Sequence, residues 1–240
     1  MKAIYKKLLL LAAVMACYHP VCAQTTPSPR SKVRFRLMSW DSVITDLNYA
    51  QGRKVVPVSM LPNGRSVFYE YEGPDPLVFF REVAGPDGKL QAEVAGSISP
   101  GDFKDRTLLI FFKSPSDPKQ YLIKAFDDSD AAIPPGCYRF INISNVPLRV
   151  KCGGDTGELP AGNALTLHGN PTSGGEITGI QVDAVTGSGV KHAYSNRLPF
   201  GKTTRTLIFV FQIPATGSFE LKRLPEDIAA LPKPSATPVP

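Results

Sequence analysis

Histidine and cysteine are scarce in this chain, 3 and 4 in 240 residues. Once the N-terminal segment described below is set aside, His168, His192, Cys137 and Cys152 are what remains of them. Neither histidine stands in HExxH or HxH spacing and no CxxC pair exists, so the sequence specifies no zinc site. The bland reading of both is a surface or half-buried strand histidine. No GxSxG elbow marks a serine nucleophile. Gly153-Gly154, Gly174-Gly175 and Gly187-Ser188-Gly189 lack the GK[ST] ending of a phosphate loop and read as hairpin turns. Asp127, Asp128 and Asp130 cluster without the glycine and distal glutamate of a calcium loop, and read as a solvated turn or helix start. No catalytic residue, metal or cofactor is therefore expected.

Long apolar runs and one-signed charge are missing as well. The unbroken apolar run from Leu8 to Ala16 follows Lys2, Lys6 and Lys7 and is too short to span a bilayer, which reads as a signal peptide over residues 1–23. Val21-Cys22-Ala23 suits cleavage before Gln24. The alternative is the lipoprotein-like box Val14-Met15-Ala16-Cys17, with acylation of Cys17 and a membrane tether. Removing the three signal lysines from 27 basic residues leaves 24 against 21 acidic ones, a net of about +3 in place of +6. No block of like charge remains, which speaks against nucleic acid as a partner.

Proline and glycine are abundant, 23 and 20, and they punctuate short runs of Val, Ile, Phe, Tyr and Leu. Such punctuation predicts many turns, few long helices and an all-β fold. The second half of the chain also repeats the first. Val33 to Ser39 meets Tyr138 to Ser144, Leu61-Pro62-Asn63-Gly64 meets Leu159-Pro160-Ala161-Gly162, and Gly88 meets Gly187. Arg106 to Phe112 then meets Arg205 to Phe211, and Ala131 to Pro134 meets Ala229 to Pro232. The separations are 105, 98, 99, 99 and 98 residues, collinear throughout, as duplication of one unit produces. Two tandem β-sandwich modules are expected, at 32–134 and 135–231, after a linker at 24–31 and before a disordered Pro-rich tail at 232–240.

In the first copy strands are expected at 32–38, 42–49, 53–59, 66–72, 77–83, 90–95, 106–113 and 120–126. In the second they are expected at 137–143, 148–152, 164–168, 177–185, 190–194, 204–212 and 218–222. Leu108 to Phe112 and Leu207 to Phe211 are apolar throughout, so they should be central strands covered on both faces where the modules meet. Acidic residues precede alanines at 127–132 and 225–230, which suits short closing helices or turns.

Three site readings follow. If Ser144-Asn145 turns a hairpin, Cys137 and Cys152 face each other across it, and an exported setting favours a disulfide; the alternative is two buried free thiols. Alternation puts Tyr69 and Tyr71 on one strand face and Phe68 on the other, so the tyrosines are a candidate binding surface unless they fill the core. Asn142-Ile143-Ser144 matches a glycosylation acceptor at a strand end.

Tyr138 to Ser144, with Pro147-Leu148-Arg149-Val150 and Leu159-Pro160-Ala161-Gly162, resembles the opening of small β-sandwich modules in exported bacterial proteins of unknown function. The resemblance implies an immunoglobulin-like or related sandwich and carries no catalytic residues. The expected function is non-enzymatic: a periplasmic, secreted or lipid-anchored envelope protein binding another protein or a cell-surface polymer. The alternative is an envelope hydrolase with a site between the modules, to which acidic residues or His192 contribute.

Overall fold

The computed structural model describes residues 30–231, apart from 172–174 and 188. The signal segment with Cys17, most of the 24–31 linker and the tail at 232–240 lie outside the described residues. In the first copy the strands are β1 (Arg30–Ser39), β2 (Ile44–Gln51), β3 (Lys54–Met60), β4 (Tyr69–Pro74), β5 (Leu77–Ala84), β6 (Leu90–Ile98), β7 (Thr107–Lys113) and β8 (Tyr121–Asp127). The second copy contributes β9 (Cys137–Asn142), β10 (Leu148–Cys152), β11 (Asp155–Leu159), β12 (Ala164–His168), β13 (Ile177–Thr186), β14 (Gly189–Pro199), β15 (Thr204–Gln212) and β16 (Phe219–Asp227). The helical pieces among the described residues are 3-10 turns at Pro100–Asp102 and Ile228–Ala230.

Four four-stranded sheets result, ordered β4-β1-β7-β8 and β3-β2-β5-β6 in one sandwich, β12-β9-β15-β16 and β11-β10-β13-β14 in the other. Adding eight to every strand number of the first sandwich yields the second, and the parallel β1–β7 pair recurs as β9–β15. The duplicated, tandem β-sandwich expected from the sequence is thus present down to connectivity. An immunoglobulin constant domain groups its first, second, fifth and fourth strands in one sheet. Here the first strand shares a sheet with the fourth, seventh and eighth, so the related form of sandwich describes these modules.

Period-two burial builds each core. Leu148, Val150 and Cys152 point inward from β10 while Arg149 and Lys151 face water; Thr178, Ile180, Val182 and Ala184 do the same on β13. Phe35, Tyr49, Tyr71, Phe79 and Phe111 pack edge-on in the first core. A third cluster lies between the sandwiches, with Met38, Leu108 and Ile110 from one side and Ile141, Leu207, Phe209 and Leu224 from the other. The uniformly apolar β7 and β15 therefore serve two cores each, as their composition demanded.

Four expectations are corrected. The duplicate register at the first strand is 103, not 105, because Phe35 pairs with Thr107 and Tyr138 with the equivalent Thr206; a shift of two preserves the face, which hid it. The strand β11 was not foreseen, since Asp-Thr-Gly-Glu-Leu buries Leu159 alone. The closing segment expected at 127–132 is made of turns, but the one expected at 225–230 starts later, because β16 runs on through Pro225 to Asp227 and leaves one 3-10 turn after it. Finally, β9 and β10 lie in opposite sheets and form no hairpin, because β9 pairs with β12 and β15, and β10 with β11 and β13. Cys137 and Cys152 are free, buried thiols.

Candidate functional site

Charged side chains converge where the two sandwiches meet. Arg65 forks onto Asp128, Nε to Oδ2 and Nη2 to Oδ1, both at 2.8 Å, and Nη1 donates to the Leu224 carbonyl across the boundary at 3.0 Å. Arg205, fully buried, donates from Nε and Nη2 to Glu226 Oε2 at 2.9 and 2.5 Å, and from Nη1 to the Asp128 carbonyl at 2.9 Å and Asp130 Oδ1 at 3.1 Å. Arg106 reaches Asp130 at 2.7 Å and Glu226 at 3.3 Å, and Arg36 pairs with the other Glu226 oxygen.

The pairing follows the repeat. Arg106 and Arg205 are equivalent by their separation of 99 residues, and Asp128 and Glu226 by theirs of 98. Arg106 of the first module binds Glu226 of the second; Arg205 of the second binds Asp128 of the first, its Nη2 lying 3.7 Å from Oδ2. This is the reciprocal pattern of an isologous contact, within one chain. Burial pushes the Glu226 carboxyl up, but Arg65, Arg36 and Arg205 outweigh it and hold its pKa at about 2. A carboxylate so held is an ion-pair partner and has no proton to give at neutral pH.

The other end of the contact is aromatic. Trp40 packs against Phe112, Phe209 and Phe211 with ring centroids at 5.0, 5.5 and 5.4 Å, and the Lys222 ammonium stands 4.6 Å from its ring while binding the carbonyls of Trp40 and Pro62.

The sequence candidates fall elsewhere. Tyr71 is 3% exposed and its hydroxyl donates to the Pro74 carbonyl; Tyr69 is half-buried and accepts from the Ser59 amide. Both rings belong to the first core, so they form no exposed stripe. Phe68, on the opposite face as expected, lies half-buried under Arg34, whose guanidinium carbon stands 3.8 Å from the ring centre. Cys137 Sγ meets His168 Nδ1 at 3.3 Å, yet burial pushes the Cys137 thiol up and Cys152 to about 12, the reverse of an activated nucleophile. His192 is exposed and its Nδ1 faces Asp183 at 3.2 Å across two strands. Asn142 is buried, its amide donating to the Val146 and Leu159 carbonyls, and so is closed to glycosylation.

Asp128, read as part of a solvated turn, is 1% exposed and bidentately bound. The missed signal was in the alignment itself: an arginine and an acid recur at matched repeat positions. A cleft of about 550 Å³ opens beside β16, floored by Tyr138, Leu198, Phe200 and Leu221, with Glu220 its one carboxylate. Among the described residues no group of His, Cys, Asp and Glu could hold a metal ion, and no helix is long and apolar enough to cross a membrane.

No family model matches the chain, and no curated protein does. Among solved structures it is similar to a putative cell adhesion protein from Bacteroides uniformis, at 8% identity and a TM-score of 0.21, over 82% of this chain and 97% of that one.

Proposed function

We propose that this chain is an exported, non-enzymatic protein of the cell envelope or its exterior, whose two sandwich modules, 32–134 and 135–231, bind another protein or a cell-surface polymer. Export is supported by Lys2, Lys6 and Lys7 ahead of the Leu8 to Ala16 run. The likeness of 138–162 to small sandwich modules of exported bacterial proteins agrees with it.

One observation carries the non-enzymatic part. Where a hydrolase site between the modules would lie, the contact is packed by apolar side chains and by carboxylates already bound to arginines, and the recess of about 400 Å³ that opens between Lys124 to Phe126 and Ile141 to Ser144 is lined by no carboxylate or histidine. A general acid needs a proton at working pH and a base needs a vacant lone pair facing substrate. Glu226, held at about 2, is denied the first, and its oxygens are occupied by Arg36, Arg106 and Arg205.

The test is cosedimentation of the purified chain with isolated envelope polymer, followed by assay of the supernatant for released fragments. Binding without release is expected. Fragments above those from a heat-denatured control, reduced by Glu226→Gln, would establish the hydrolase instead. Intact mass of the processed protein decides between a Gln24 terminus and a lipidated Cys17.

A further inference from the structure

Duplication supplies an internal control for each surface position, because a residue type the fold requires should recur in both modules. The outer sheets fail to match. Both carry a bulge at the same place: Ala95 is skipped where Phe79 pairs with Gly96 and Phe80 with Val94, and Ala193 is skipped where Val182 pairs with Tyr194 and Asp183 with His192. With the bulges superposed, the outward row Pro57, Asn48, Phe80, Val94 of the first module stands where the second has Glu158, Arg149, Asp183, His192. In the second module this row is paired through polar side chains, Arg149 to Glu158 at 2.7 Å and His192 Nδ1 to Asp183 Oδ1 at 3.2 Å. In the first it is largely apolar. The next outward row holds Val55 and Ala50 on β3 and β2, against Thr156 and Lys151 on β11 and β10. Val55 is 44% exposed and Val94 50%.

We propose that the outer face of β3-β2-β5-β6 is a self-association surface, on which a second copy of this chain packs the same face about a two-fold axis running across the strands. The charges at its ends favour that occupant. Arg53, at the β2–β3 turn, and Glu82, toward the far end of β5, make no ion pair among the described residues. A two-fold axis across the strands reverses one sheet over the other and sets the basic end of each copy above Glu82 of its mate. Sheets stack face to face at about 10 Å, with their strands within about 30° of alignment. Four strands of about six residues present a face of roughly 20 Å by 19 Å, on the order of 400 Å² per partner. That is about half a standard specific interface, so the dimer is weak and transient, with Kd on the order of 100 μM.

Sedimentation velocity of the purified full chain across roughly a hundredfold concentration range tests this. A shift from monomer to dimer is expected, and Val94→Arg should raise the dimer Kd by about a hundredfold, whereas His192→Arg at the equivalent place should leave it unchanged. Glu82→Lys should weaken association about tenfold, and adding Arg53→Glu should restore it; this charge reversal decides the matter should Val94→Arg fail to fold. A chain monomeric throughout, or a dimer indifferent to both sets of variants, overturns the proposal, as does capture of a different protein by this face with no homodimer.

Discussion

Glu226 keeps its charge where burial alone would neutralise it, and the three arginines that hold it there tie its ionisation to folding. Its folded pKa of about 2 lies below the ordinary 4.5, so the stability it contributes is complete above about pH 4.5 and is lost as pH falls toward 2. Linkage sets that contribution at about 3 kcal/mol. Glu226→Gln should lower stability at neutral pH by about 3 kcal/mol, since Arg36 and Arg205 lose a buried partner. The gap from the parent protein should then close between pH 4.5 and 2 in urea titrations. A gap that stays constant over that window would show that the carboxylate is not what the arginines stabilise. The cysteines allow a second check at this scale. Burial raises both thiols, Cys152 to about 12, so neither should react with an alkylating agent in the native protein, and both should react after denaturation without reductant. An unreactive denatured chain would mean that the two are bonded between the sheets, in place of the free thiols seen here.

At the scale of the element, what the sequence revealed and what it hid divide along burial. Strands with period-two alternation or a continuous apolar run, such as β1, β7, β13 and β15, were readable because one or both faces are core. The edge strand β11 was not, because its residues answer to backbone pairing with β10 more than to side-chain burial. Tyr69 and Tyr71 were placed on the correct shared face, but period two cannot say which face is wet. The cysteine geometry failed because sequence neighbours β9 and β10 were assumed to pair, whereas the first strand here pairs in parallel with the seventh. The charge network was written in matched repeat positions, yet nothing local distinguishes a buried arginine from a solvated one. The double duty of β15 makes a measurable difference. Phe209, fully buried and edge-on to Trp40 and Phe126, should cost about 3–5 kcal/mol on truncation to alanine. Phe68→Ala, which removes a half-buried ring beneath arginines, should cost about 1 kcal/mol. Similar urea midpoints for the two variants would contradict the two-faced packing of β15.

At the scale of the whole molecule, the contact between the sandwiches behaves as a dimer interface closed inside one chain. Its centre is apolar, one end is aromatic, and the other carries the reciprocal pairs Arg106–Glu226 and Arg205–Asp128. Each sandwich has its own core, so each has reason to unfold by itself, and what joins them is the energy of this contact. Breaking a buried ion pair by removing one partner costs about 3–5 kcal/mol, and Arg205 serves Asp128, Asp130 and Glu226 together. If the contact exceeds the stability difference between the modules, the parent protein melts in one cooperative transition. Arg205→Ala takes the fully buried guanidinium from Glu226 and from the Asp128 carbonyl, leaving Glu226 to Arg36 and Arg106 and Asp128 to Arg65, and should separate that transition into two in scanning calorimetry. Arg149→Ala, which breaks an exposed pair on the outer sheet of the second module, should leave it single, because such pairs contribute about 0–1 kcal/mol. Two resolved transitions in the parent protein would mean that the contact is too weak to couple the modules, and a single transition in Arg205→Ala that something other than the reciprocal charges couples them.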